Sequence, residues 1–231
     1  MSETVSQAVA RVQAPADLIN TALVEFARVL PAGIDKAKFG QWALTMMSKA
    51  LSSPEDRQRL AWEKVLNPAN QAGQMSVLSA LKECAALGLE PGREYHVVPF
   101  GSTATGITDY KGEIRLISNW EPCSVVAMLV RAEDKFHMTG ANIPPTHDAD
   151  WFGDRGPVIG GYAFVDYGNG RFSLVYRLPE TSPDPAADSF LKHREVAKTK
   201  AVWDAWGEQM RLKTLVHGVR KSVPWAPERR W

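Results

Sequence analysis

Cysteine is scarce in this chain, with only Cys84 and Cys123 among 231 residues. Both lie inside apolar segments, which argues against a disulfide framework or a cysteine-rich metal site and predicts two small, reduced, inert thiols. Long apolar runs are missing too. None approaches the roughly 18 residues of a membrane span, and Met1 to Gln13 lacks the basic-then-apolar order of a signal peptide. Both absences predict a cytoplasmic protein. Signatures of catalysis are also absent: there is no Gly-x-x-x-x-Gly-Lys-Ser/Thr loop for a nucleoside triphosphate and no Gly-x-Ser-x-Gly nucleophile elbow. His137 and His147 lack the i, i+4 spacing of a helical zinc site. A metal nuclease would need converging carboxylates. Glu90, Glu94, Asp109 and Glu113 are spread over several predicted elements, while His147, Asp148, Asp150 and Asp154 share one polar loop. Both groups read as surface acids, so neither an enzymatic activity nor a cofactor is predicted.

Net charge is nearly absent as well, at +1, which argues against a uniformly basic nucleic-acid surface. Its distribution along the chain is uneven. Residues 1 to 90 carry nine Lys/Arg and nine Asp/Glu, residues 91 to 190 carry eight and thirteen, and residues 191 to 231 carry ten and four. The positive field therefore sits at the C-terminal end. Such asymmetry points to a polyanion on one face and to neighbouring subunits that meet through opposite charges. Composition is otherwise that of an ordinary soluble globular protein, 45% hydrophobic and 23% charged, with enough chain for one large or two small domains.

Periodicity divides the chain into helices, then strands, then helices. Leu18, Ile19, Ala22, Leu23, Phe26, Val29 and Leu30 follow helical spacing after Pro15 and Asp17, up to Pro31 and Gly33. Asp35 caps a second helix whose Phe39, Trp42, Ala43, Met46, Met47 and Ala50 form a packing stripe. Ser53-Pro54-Glu55-Asp56 opens a third helix to about Leu66. A fourth runs from Asn70 to Leu87 with Met75, Leu78, Leu81 and Ala85 along one side, and Gly88 is its expected C′ residue. The middle third changes period. Glu94 to Phe100 and Thr103 to Thr108 flank Gly101-Ser102 as a hairpin. Tyr110 to Asn119 reads as a short helix with Ile114 and Ile117 inward and Lys111 and Arg115 on another side. Cys123 to Arg131 and Lys135 to Met138 are strands. Gly140 to Gly156 reads as a long surface loop or a partner-binding arm. Val158 to Asp166 and Phe172 to Arg177 pair across Gly168-Asn169-Gly170.

The basic end carries two predicted helices, Asp184 to about Val196 and Trp203 to Lys221, the second stopped by Pro224. At about 100° per residue, Leu212, Leu215, Val216 and Val219 fall on one side of the second helix. Lys213, His217 and Arg220 fall on another, and Trp203, Trp206 and Met210 project toward these cations. A continuous helix would present an aromatic and cationic face, suited to stacking bases and holding phosphates. If Gly207 allows a bend, the two tryptophans belong to a separate turn and pack inward.

The densest signal runs from Gly88 to Gly112. It contains Gly88-Leu89-Glu90-Pro91-Gly92, then a strand ending Val98-Pro99-Phe100-Gly101, then Tyr110-Lys111-Gly112 at a helix start. With the late Trp-x-x-Trp-x-x-x-Met-x-x-Lys-Thr of Trp203 to Thr214, followed by basic residues and Pro224, these motifs resemble RecT-type phage single-strand annealing proteins. The order holds from about Leu18 to Pro224. Each motif is weak alone; their order and spacing together are specific.

The resemblance implies a recombinase without chemistry, acting in the cytoplasm of a bacterial host. Such proteins coat single-stranded DNA as an oligomeric ring or helical filament, pair it with its complement without ATP, and hold the annealed duplex. A phage exonuclease and a host single-strand-binding protein are the implied further partners. Fixing phosphates by charge leaves the base edges open, so base pairing supplies the specificity. The backbone-binding role is carried onto Tyr110, Lys111, Arg115, Arg211, Lys213, Arg220 and Lys221, and onto Lys198 and Lys200. Lys192 and Arg194 join on charge alone. Gly88, Gly92, Gly101 and Gly112 are assigned to structural turns. The fold expected is α+β: a helical N-terminal portion on a small, mostly antiparallel sheet, closed by basic C-terminal helices. Residues 1–15 are read as a flexible N-terminus, 16–222 as one annealing domain with room for two lobes, and 223–231 as a short tail. Two features depart from the family pattern. Asp109 stands where a Gly often precedes Tyr-Lys-Gly, and the chain ends within ten residues of Pro224, so a long host-recruiting extension is read as missing or very short, with Arg229, Arg230 and Trp231 as its remnant or as a disordered end. The alternatives in function are a passive single-strand-binding protector and a metal-dependent nuclease.

Overall fold

Apolar residues at spacings of three and four drive the first four helices. The computed structural model describes residues 15–184, 186–197 and 200–230. It divides the chain into two compact units, residues 1–112 and 113–231. In the first unit, α1 (Pro15–Ala27), α2 (Lys36–Leu51), α3 (Asp56–Val65) and α4 (Gln71–Ala86) precede a hairpin of β1 (Tyr95–Phe100) and β2 (Thr103–Thr108). Ile19, Phe26, Phe39, Met47, Trp62 and Leu81 are buried, with Phe26 and Phe39 edge-to-face at 5.7 Å. Asp35 caps α2 by accepting from the Lys38 N–H at 2.9 Å. Asn70 accepts from Gly73 N–H, while its amide donates to the carbonyl of Ser102 at 2.6 Å. One cap therefore anchors the hairpin turn to the start of α4.

Helix α4 ends as the sequence predicts. Gly88 takes a φ of 66°, and the N–H groups of Gly88 and Leu89 bond back to Ala85 and Cys84, the paired closure that an αL glycine permits. Burial pushes the Cys84 thiol well above its ordinary value, which keeps it protonated and inert. The predicted inward side of α4 needs one correction. Met75 is 59% exposed, and Val77, Ala80 and Cys84 join Leu81 and Ala85 inside.

Helix α5 (Tyr110–Trp120) carries the chain into the second unit. There β3 (Ser124–Arg131), β6 (Val158–Asp166) and β7 (Tyr176–Pro179) form an antiparallel sheet in the order β3-β6-β7, and β4 (Lys135–His137) pairs with β5 (Thr146–Asp148). Helices α6 (Phe190–Val196), α7 (Lys200–Ala205) and α8 (Gly207–Arg220) follow. The central strand is buried on both faces. Ala163 and Val165 pack with Phe190, Trp203, Leu215 and Val219, while Tyr162 and Phe164 pack with Val130 and Val175 in a second cluster. This explains why Gly160 to Val165 reads as an unbroken apolar run. The architecture is α+β, as expected, and no helix among the described residues is long and apolar enough to cross a membrane.

Four expectations are corrected in this unit. Gly140 to Gly156 is not simply a loop, because β5 lies within it and pairs Lys135, Phe136 and His137 with Asp148, His147 and Thr146. The strand after Gly170 starts its regular pairing only at Tyr176, opposite Ala163. Before it, the Ser173 hydroxyl accepts from Val165 N–H and Val175 N–H turns to the carbonyl of Ala141. The helix expected from Asp184 starts at Phe190, because the extended Ser189 caps it by accepting from Lys192 N–H. The long helix from Trp203 is broken at Trp206, whose φ of −132° and ψ of 40° make it the N-cap of α8. Trp203 is core and Trp206 is 60% exposed, so the two rings part company.

Close approach explains Gly218. A Cβ there would stand 2.1 Å from the Tyr176 ring, so α8 crosses β7 only where that side chain is missing. We predict that Gly218→Ala lowers stability by about 1–3 kcal/mol through overpacking, read as a lower urea midpoint with an unchanged m-value.

Candidate nucleic-acid interface

The Tyr-Lys-Gly segment opens α5, and Asp109 is what starts that helix. Its carboxylate accepts from Lys111 N–H at 3.2 Å and lies 3.6 Å from His96 Nε2. An acid at this place caps the helix and complements its dipole, which accounts for the departure at Asp109 without any contact to DNA. The Lys111 ammonium reaches over the Tyr110 ring, 5.9 Å from its centre. Arg115 follows one turn later and is half-buried. Gly112 sits in the first helical turn, where a Cβ would meet the carbonyl oxygen of Glu94 at 2.4 Å. Its role is close packing of the helix start on the hairpin. Gly92 and Gly101 hold φ values of 83° and 64°, as their turns require.

The C-terminal cations divide into two kinds. Arg211 grips Glu180 through both Nε and Nη2, the Nε bond being 2.7 Å long, and its guanidinium lies 5.8 Å from the Phe190 ring centre. Arg194 donates twice to Asp204, at 3.1 and 2.6 Å, tying α6 to α7. Lys200 pairs with Glu195, and Lys192 donates to the carbonyl of Ala186 at 2.9 Å. These groups already hold the unit's own fold. A second group lies along α8: Lys213, Arg220 and the C-cap Lys221. The Arg220 guanidinium stacks on Trp225 at 4.2 Å, and Lys221 is exposed. Lys198 falls outside the described residues.

All eleven proposed contact residues fall inside one match. The RecT family profile covers residues 55–226, from the N-cap of α3 to Ala226. This chain belongs to the RecT family. It is accordingly a single-strand annealing protein of DNA recombination. Comparison with curated proteins finds no match. Among the described residues of this RecT family member, no three His, Cys, Asp or Glu side chains converge as a metal site would need. Three of the groups weighed for that role have other partners: Glu94 accepts from Glu90 N–H, Asp109 caps α5, and His147 Nε2 bonds Asp134 at 3.0 Å.

Two features of this RecT family chain were not singled out by sequence reasoning. His217 lies on the cationic side of α8, and its Nδ1 is 2.6 Å from Oε1 of Glu113, which is buried. The carboxylate holds the ring through Nδ1, and the side chain is otherwise exposed. The i, i+4 spacing of Lys213 and His217 was visible; the Glu113 partner, 104 residues away, was not. The second feature is a buried cluster under the β4–β5 arm. Asp134 is fully buried and receives two 2.7 Å bonds from Arg155, one from Arg131 N–H and one from His147. The Arg155 bonds, first among several, hold its carboxyl far below the ordinary range.

Proposed function

We propose that the protein coats single-stranded DNA as an oligomer, pairs it with its complement without nucleotide, and stays on the annealed duplex. The match to the RecT family over residues 55–226 carries this reading. Tyr110, Lys111 and Arg115 on α5 are one set of phosphate contacts, and Lys213, Arg220 and Lys221 on α8 are another. Lys192, Lys198 and Lys200 add to the positive field of the C-terminal segment. Arg194 and Arg211 act indirectly, by fixing α6, α7 and α8 through Asp204 and Glu180. Charge contacts of this kind are independent of sequence and weaken with salt. Base edges stay open to the incoming strand, so no covalent step is required of the protein.

Order of addition tests the coating. Imaged by electron microscopy, the protein with one long strand, and then with its complement added second, is expected to form regular multimeric assemblies that persist on the duplex. Scattered single protomers on both substrates would refute oligomeric coating.

A further inference from the structure

The segment after α8 is fastened to the C-terminal end of α5 and carries two arginine stacks on tryptophan there. Ala226 is buried; its N–H donates to the Leu116 carbonyl at 3.0 Å, and the Arg230 N–H donates to the carbonyl of Asn119 at 2.9 Å. The amide of Asn119, itself buried, donates to the carbonyls of Ala226 and Pro227 at 3.3 and 3.2 Å. These bonds fix the segment at both ends. The Arg220 guanidinium lies over the Trp225 ring at 4.2 Å, and the Arg230 guanidinium over the Trp120 ring at 4.6 Å. Trp225 remains 38% exposed and Trp120 36%. Among the described residues, no carboxylate pairs with either guanidinium.

A planar guanidinium held flat on an indole is suited to one class of ligand. Both groups stack on the face of a heterocycle, and the N–H edge of the guanidinium reaches phosphate oxygens. Bases offer their faces in a single strand and cover them with one another in a duplex. The local charge agrees with a polyanion: residues 220–231 carry Arg220, Lys221, Arg229 and Arg230 against Glu228 alone. One strand can reach both stacks, because Trp225 and Arg230 are five residues apart and their Cα atoms are at most about 18 Å from each other. We propose that Trp225 with Arg220, and Trp120 with Arg230, are two stacking platforms for unpaired bases. They hold the single strand and release it as its bases pair, while the phosphate contacts persist on the duplex. This rests on the single-strand binding proposed above; it adds Trp120, Trp225 and Arg230 to the contacts and gives them a preference that phosphate contacts lack.

Two probes of equal length separate stacking from charge: oligothymidylate, and a strand with the same phosphates but no bases. Trp120→Leu and Trp225→Leu together keep apolar bulk at both positions. This variant should bind oligothymidylate at least about tenfold more weakly than wild type, with its affinity for the base-free strand and for annealed duplex little changed. Equal losses on the two strands, or no loss on either, overturns the platforms. A second arm uses the wild-type protein, where no substitution can disturb the fold. Light-driven cross-linking from 5-iodouracil placed along the strand should join Trp120 or Trp225, and cross-links confined to other residues overturn the proposal. Wild-type protein that fails to bind oligothymidylate is a different failure: it overturns the single-strand binding, and the platforms with it.

Discussion

Asp134→Ala is expected to lower stability by about 3–5 kcal/mol, because it leaves the largely buried Arg155 guanidinium without its carboxylate. Asp134 is the hub of the arm. It accepts from Arg155, His147 and the Arg131 N–H together, so its loss also frees the Arg155 guanidinium that lies over the Trp151 ring. Urea unfolding followed by tryptophan fluorescence reads the change. The same contacts set an acid dependence whose sign is fixed. The carboxyl is held below its ordinary value in the fold, so its contribution is fully present above about pH 4. It then fades as the pH falls toward the depressed folded value. The Asp134→Ala variant should lack that part of the acid limb. A wild-type acid limb that persists unchanged in the variant would remove Asp134 from this role.

Removing Lys213, Arg220 and Lys221 is expected to have the larger effect on DNA. For single strands the slope of log affinity against log salt changes by about 0.7 per phosphate contact. Lys213→Ala, Arg220→Ala and Lys221→Ala together should therefore lower the slope by about 2 and weaken binding at 0.1 M salt about a hundredfold. The loss should be uniform across sequences, since phosphate contacts carry no sequence information. Arg211→Ala is the informative contrast. It leaves Glu180 without its two-pronged partner, so its main effect should be on stability, with the salt slope little changed. An equal slope change for Arg211→Ala and for Lys213→Ala would place both on the DNA.

Local signals in the sequence were readable where one residue decides the structure. Asp35 and Asn70 cap helices, Gly88 closes α4, and Gly101 turns the hairpin, each through a bond or a φ angle that its residue type supplies. Legibility failed where a distant partner decides. Trp203 and Trp206 project to one side of an ideal helix, yet the break at Trp206 sends one ring to the core and leaves the other exposed. Strand β5 was hidden because Thr146, His147 and Asp148 have no periodicity of their own; their pairing with β4 and the Asp134 cluster hold them. Among the candidate contacts, composition marked the basic segment but not which cations are engaged internally. That depends on Asp204, Glu195 and Glu180, which are 10, 5 and 31 residues from Arg194, Lys200 and Arg211. Asp109 shows the converse. As a lone acid beside Lys111 it reads as a defect in a phosphate site, and as a helix cap it is a reason that the site has its shape.

The most direct test is whether this chain brings complementary strands together. The direct measurement follows two labelled complementary oligonucleotides by energy transfer in the absence of nucleotide. Pairing should be accelerated by stoichiometric protein, with the protein retained on the product and the acceleration reduced by the triple α8 variant. Pairing slowed by the wild-type protein would contradict annealing and leave only a passive single-strand protector.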